Sequence, residues 1–145
     1  MILSAPEIIR RLDQDCGRGN LIITPYSNEC QQPASYDLRA AGDSFLPKGT
    51  CTLVPTLEWV ELPMDLAGTL RCRSSFGRRG VLLGAGFVDP GFRGQLTLCL
   101  TNLGNDDLFV KKNDRVVQMI FHEVREGNMS YSGRYQDSRG AVEAK

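Results

Sequence analysis

The residues best suited to chemistry lie close together in the chain, between Arg71 and Gly94. Arg73-Ser74-Ser75, with Arg78 and Arg79 close behind, offers two hydroxyls, turn N–H groups and guanidinium groups. Such a set suits phosphate oxygens; it equally suits a surface turn with solvated arginines. Next comes Gly84-Ala85-Gly86-Phe87-Val88-Asp89-Pro90-Gly91-Phe92-Arg93-Gly94. Its small residues let a planar ligand reach the backbone of a hairpin. Asp89, placed by this reading next to the phosphate turn, has the chemistry of a general base for an attacking water; a plain turn residue is the other reading. Phe92 offers a flat face to a sugar. A third group is Asn113-Asp114-Arg115 followed by Val116-Val117-Gln118-Met119-Ile120. An amide among apolar strand residues must find partners, from a ligand or from the protein itself.

The elements that must position these groups are mostly short strands. Ser4 and Glu7 frame a capping box with Pro6 in the first turn of a helix. That helix would bury Ile8, Ile9 and Leu12 and end at Gly17–Gly19. Leu21–Ile23 reads as a strand, 28–33 as polar loop, 34–41 as a strand carrying Asp37, and 43–49 as a turn. Strands then follow at 51–54, 57–62, 68–72, 81–83, 87–88, 95–100, 108–110 and 115–124, separated by Pro, Gly, Asn and Asp. This pattern predicts an all-β fold, a sandwich or jelly roll, with one short N-terminal helix. Residues 1–125 would form a single domain. Residues 126–145, rich in Gly, Ser, Tyr and Arg, would form a flexible tail.

Composition excludes several classes. Seventeen basic and 17 acidic residues give a formal net charge of +0 in 145 residues. Bulk electrostatics therefore supports neither a nucleic-acid nor a membrane-surface partner. No apolar run is long enough to span a bilayer. Five scattered cysteines without a Cys-x-x-Cys pair read as reduced thiols of a cytoplasmic protein. The single histidine, His122, has no ligand partner at metal-site spacing and reads as a half-buried strand residue.

In order, Tyr36-Asp37-Leu38-Arg39-Ala40-Ala41, Arg73-Ser74-Ser75, the Gly84–Gly94 stretch and Asp114–Ile120 resemble motifs one to four of the trimeric dUTPase and dCTP deaminase superfamily. The likeness runs from about residue 1 to 140 and includes Leu53-Val54-Pro55-Thr56 and Glu61-Leu62-Pro63. It implies a distorted jelly-roll, β-clip-like barrel that assembles as a homotrimer with active sites shared between subunits. It also implies a small deoxyribonucleotide substrate and Mg²⁺ on its phosphates. Asp89 would be the general base. Arg73, Ser74, Ser75, Arg78 and Gln118 would hold the triphosphate, and Gly84, Gly86, Phe87 and Val88 would read the base. Phe92 would exclude ribonucleotides, and Asp37 would stand in the water shell of the ion. Tyr131, Arg134 and Tyr135 would close over the phosphates as the tail orders.

Two chemistries occur in that superfamily. The N-terminal helix, residues 32–39 and the tail at 131–136 are similar to dCTP deaminases. Those enzymes need a glutamate in a Thr-Leu-Glu-Leu-like context, where this chain has Thr97-Leu98-Cys99-Leu100. The deaminase His-x-Thr-Ala hairpin is shortened here to Gly84-Ala85-Gly86, the dUTPase form. Other features depart from dUTPases: Arg-Ser-Ser replaces Arg-Ser-Gly, Phe92 replaces Tyr, and the Phe-Gly-Ser-Thr-Gly lid motif is missing. The resulting expectation is hydrolysis of dUTP to dUMP and pyrophosphate. The alternatives are dCTP deamination, with or without pyrophosphate release, and a non-catalytic nucleotide-binding trimer.

Overall fold

Alternation of apolar and polar residues builds two sheets over one shared core. The structure is a computed structural model that describes residues 1–13 and 19–145. The elements are α1 (Ala5–Leu12), β1 (Ile22–Thr24), β2 (Gln31–Gln32), β3 (Ser35–Arg39), β4 (Ser44–Leu46), β5 (Cys51–Glu61) and β6 (Leu66–Cys72). After these come α2 (Ser74–Gly77), β7 (Val81–Gly84), β8 (Phe87–Val88), β9 (Arg93–Asn102), β10 (Leu108–Val110) and β11 (Arg115–Glu123). One sheet has the order β1-β5-β9-β7 and the other β2-β3-β11-β6-β8; β4 and β10 pair separately. All the strand pairs are antiparallel. In β9, Leu96, Leu98 and Leu100 face the core, while Gln95, Thr97, Cys99 and Thr101 lie on the open face. Leu38, Val116, Val117, Met119 and Phe121 of the second sheet complete the same cluster.

The sequence pattern and the structure differ at several places. Pro55 does not divide two strands. It lies in the single 11-residue β5, which absorbs it in a register shift against β9 between Pro55 and Trp59. The expected turn at 43–49 contains β4, and the expected loop at 28–33 contains a 3-10 turn (Asn28–Cys30) and β2. Both strands are too short to show a period. Helix α1 buries Ile8 and Arg11, whereas Ile9 is 52% exposed. Arg11 pairs with Asp65. The Ser4 side chain makes no capping bond, and Glu7 pairs instead with Arg10. The predicted helix end at Gly17–Gly19 falls largely outside the described residues. His122 is half-buried on β11, as expected. Cys30, Cys51, Cys72 and Cys99 are free thiols.

A charged pair inside the core ties the two sheets together. Glu58 sits on the buried side of β5 and is fully enclosed. Its carboxylate accepts the Arg39 backbone N–H at 2.9 Å and the Arg39 Nε–H at 2.6 Å. The Arg39 Nη2 donates to the Pro25 carbonyl at 2.7 Å. Burial pushes the Glu58 carboxyl above its ordinary range, against the pull of the Arg39 hydrogen bonds. Breaking such a pair from one side leaves a buried charge alone. Arg39→Met is therefore expected to cost about 3–5 kcal/mol in denaturant titration, with most of the loss recovered in Arg39→Met/Glu58→Leu.

Candidate active site

The site residues are ranged alongside β6 (Leu66–Cys72), whose register divides them into two groups. Its C-terminal end runs through Cys72 into Arg73, whose N–H donates to the Val116 carbonyl at 3.0 Å. Ser74 and Ser75 then open α2, a single helical turn where the sequence suggested a plain turn. Both serines and Arg78 are exposed. Across the sheet, Gln118 of β11 lies opposite Asp37 of β3 on one side and Arg71 of β6 on the other. These three residues form one row on the outer face.

Asp37 is the electrostatic centre of this end. Its side chain is 1% exposed, and Oδ2 lies 3.0 Å from Arg73 Nε and 3.5 Å from Arg115 Nη1. Arg115 Nη1 also donates to the Glu29 carbonyl at 2.7 Å, and Arg73 Nη1 to the Arg115 carbonyl at 3.4 Å. Burial holds the Asp37 carboxyl above its ordinary range, although both arginines pull it down. Arg71 and Arg115 did not stand out from the sequence as site residues. The Asp-Arg pair at 114–115 was the signal for Arg115; Arg71 had none apart from its place two residues before Arg73.

The glycine hairpin passes from one sheet to the other. Gly84 ends β7 opposite Cys99 of β9. Gly86 then accepts the Leu70 N–H at 2.7 Å and has φ +105. A Cβ there would stand 3.2 Å from the Leu70 Cβ, a tight contact, and the positive φ is one that favours glycine. Phe87 pairs with Thr69 and Val88 with Gly68. Phe87 is 66% exposed, while Val88 is buried.

Asp89 follows, exposed, in a turn where the Phe92 N–H donates to its carbonyl at 3.2 Å. In the β6–β8 register Asp89 falls beside Ala67. Arg73 is six residues further along β6, about 20 Å at strand rise. The expectation that Asp89 lies next to the phosphate turn is therefore corrected. Close in sequence, the two groups stand by opposite ends of β6 in the same chain.

The tail joins the Asp89 end. The Tyr131 N–H donates to the Pro90 carbonyl at 2.8 Å, and the Tyr131 ring meets Phe92 edge-on at 5.7 Å. Phe92 is itself 6% exposed and packs in the core. Gln136 accepts the Arg93 N–H at 2.9 Å and donates to the Gly91 carbonyl at 2.9 Å. Arg93 pairs with Asp137, and Arg139 lies 4.9 Å from the Trp59 ring. Further along, Gly140 and Val142 donate to the side chains of Gln95 and Thr97. Arg134 reaches the Lys145 carbonyl, and the Tyr135 N–H donates to the Tyr131 hydroxyl at 3.2 Å.

The described residues hold no group of three or more His, Cys, Asp or Glu side chains able to bind a metal ion. Asp37, expected in the water shell of Mg²⁺, lies against two guanidinium groups that a cation would have to displace. These residues do not fit a protein-held Mg²⁺ at that carboxylate.

The model of the dCTP deaminase-like family matches residues 40–124, and a dCTP deaminase of Pyrococcus horikoshii is 37% identical over 144 residues, covering 88% of this chain and 92% of that one. The chain belongs to the dCTP deaminase-like family. Among solved structures, a 2'-deoxycytidine 5'-triphosphate deaminase from Agrobacterium tumefaciens is similar with a TM-score of 0.67 and 21% identity. That match covers 83% of this chain and 47% of the other. A dUTPase from phage phi11 of S. aureus, described for its coordination of a structural Mg(II) ion, gives a TM-score of 0.64 at 16% identity. It covers 78% of this chain and 96% of that one. The fold is therefore the jelly-roll-like fold of dUTPases and dCTP deaminases, as the resemblance implies. No helix of the described residues is long and apolar enough to cross a membrane.

The burial of Asp37 sets a pH dependence. Its folded form keeps a proton to higher pH than the unfolded chain, whose reference value is 3.8. Its contribution to stability is thus most favourable below that value. It falls as pH rises through the window up to the raised folded value, then stays level. Asp37→Asn is expected to gain stability relative to wild type across that window, read as the difference between two sets of denaturant titrations.

Proposed function

We propose that this chain is an enzyme acting on a pyrimidine deoxyribonucleoside triphosphate, and that its reaction is deamination of dCTP, alone or followed by release of pyrophosphate. The observation that carries this reading is the 37% identity to a dCTP deaminase along 88% of the chain. The phosphate-binding groups gathered around Asp37 support the triphosphate, and the Gly84–Gly86 backbone supports a planar base. In the reaction water adds at C4 of cytosine and the amine leaves as ammonia. Protons must leave the water and reach the departing nitrogen.

A second reading, hydrolysis of dUTP to dUMP and pyrophosphate, is favoured by Cys99. It sits opposite Gly84, beside the proposed base pocket, where the deaminase pattern has a glutamate. Burial raises its thiol above the ordinary range, so at neutral pH it carries no charge and is a poor proton carrier. In this reading Asp89 takes a proton from water as the water attacks the α-phosphorus, and pyrophosphate leaves. Mg²⁺ would arrive on the triphosphate and neutralise phosphate charge.

In either chemistry Arg73, Ser74, Ser75, Arg78 and Gln118 bind the phosphates, and Gly84, Gly86, Phe87 and Val88 meet the base. Phe92, almost wholly buried in the core, would back the sugar from behind the turn and not offer it an open face. Arg134 with Tyr131 and Tyr135 closes the site from the tail. Because Asp89 stands about 20 Å from Arg73 along β6, a complete site needs a second copy of the chain. This supports a homotrimer with sites between subunits.

A product assay with dCTP and dUTP given separately is expected to show ammonia and dUTP or dUMP from dCTP. Untouched dCTP with pyrophosphate formed from dUTP would transfer the function to the second reading, and Cys99→Glu would then be expected to gain deamination. Silence on both substrates would sink both readings. Under the second reading, co-expression of Asp89→Asn and Ser74→Ala is expected to restore about a quarter of wild-type activity, the fraction of all sites that receive both intact residues from different subunits on random assembly. A mixture as inactive as its components would place each site within one chain.

A further inference from the structure

We propose that Asp37 is a positioning residue, whose buried carboxylate holds Arg73 and Arg115 as a preset cationic pair for the triphosphate instead of serving the water shell of a metal ion. The inference rests on the reading that the substrate is a nucleoside triphosphate, and it assigns roles to Asp37 and Arg115 within that site.

Three observations carry it. First, the carboxylate is enclosed and its Oδ2 faces guanidinium nitrogens at 3.0 and 3.5 Å. Neither of its oxygens has a well-aligned hydrogen bond, so its interaction with the protein is chiefly that of charge with two cations. Second, those cations are themselves tied down. Arg115 is fixed by the Glu29 carbonyl and Arg73 by the Arg115 carbonyl. With Arg73 Nε and Nη1 turned to protein partners, Nη2 is the nitrogen left to meet a phosphate oxygen. Third, the β3–β11–β6 register sets Gln118 between Asp37 and Arg71. The anchored arginines therefore stand beside the amide proposed for the same phosphates.

The physical reason is repulsion. Two guanidinium groups this close disfavour each other, and their side chains carry many rotamers. The carboxylate between them holds both in one arrangement before the ligand arrives, so less ordering remains to be done on binding. The trio keeps a net positive charge, so the carboxylate reduces the attraction for phosphate without cancelling it.

The test compares wild type, Asp37→Asn, Arg115→Lys and the double variant. It uses whichever of dCTP or dUTP the wild type turns over, at several Mg²⁺ concentrations. Calorimetry with inorganic tripolyphosphate in the absence of Mg²⁺ is run alongside. Asp37→Asn is expected to raise KM and the tripolyphosphate Kd by about tenfold, the scale of a charge-assisted hydrogen bond, with a much smaller change in kcat. Raising Mg²⁺ should not restore it. Arg115→Lys keeps the charge but loses the planar fork, and should weaken tripolyphosphate several-fold. Because Asp37 acts through the arginines it holds, the double variant should lose less than the product of the two single losses. Rescue of Asp37→Asn by Mg²⁺, or a fall in kcat with tripolyphosphate binding intact, would overturn the proposal and return Asp37 to the metal. Should Asp37→Asn fail to fold, unchanged tripolyphosphate binding in Arg115→Lys would overturn it equally. A wild type that binds dCTP, dUTP and tripolyphosphate no better than inorganic phosphate would overturn the triphosphate reading, and this inference with it.

Discussion

The register of β11 between β3 and β6 is the constraint on which the rest depends. Side chains alternate along a strand, so a slip of one residue would turn Gln118 inward and Val117 outward. The slip is resisted because Val117, Met119 and Phe121 are completely buried. The same lock places Asp37, Gln118 and Arg71 in one row. The polar site is thus held by the apolar packing behind it. The alternating apolar residues of β11 commit one face to the core and leave the other for chemistry.

Burial has different electrostatic consequences at the two enclosed carboxylates. Glu58 is hydrogen-bonded twice by Arg39 and works as a bolt between strands. Asp37 has ion pairs without well-aligned hydrogen bonds, and lies in the middle of β3. Its environment is the less satisfied of the two, as at many sites that have a ligand to accommodate. Each carboxylate has a raised pKa because desolvation outweighs its arginine partners. Only Asp37 has its arginines partly open to solvent on the face proposed for phosphate.

The separation of Asp89 from Arg73 bears directly on how the proposed site would be completed. Asp89 lies beside one end of β6 and Arg73 beyond the other, with the glycine hairpin between them. In the proposed oligomer, pairing copies of the chain would bring opposite ends together without lengthening either. The tail lies at the Asp89 end, anchored through Gln136 and Tyr131 to the turn that carries Asp89. Its aromatic and basic residues are therefore grouped with Asp89 and not with Arg73-Ser74-Ser75 of the same chain.

The sequence by itself determined the strand-rich fold, because period-two alternation and Pro/Gly punctuation are local properties. It also determined which residues have chemical capacity: Arg73-Ser74-Ser75, the glycine hairpin, Asp89 and Gln118. The lengths of β4 and β2 escaped it, since two or three residues carry no period. The continuity of β5 through Pro55 escaped because a register shift depends on the partner strand. The α1 face was misread at Ile9 and Arg11 because a distant partner, Asp65, makes the arginine the buried residue. Only the tertiary structure decided that Asp37 faces two arginines, and that Asp89 and Arg73 stand apart. Strand pairing brings together residues distant in the chain and separates residues close along it, and that pairing is fixed by the packing of both sheets at once.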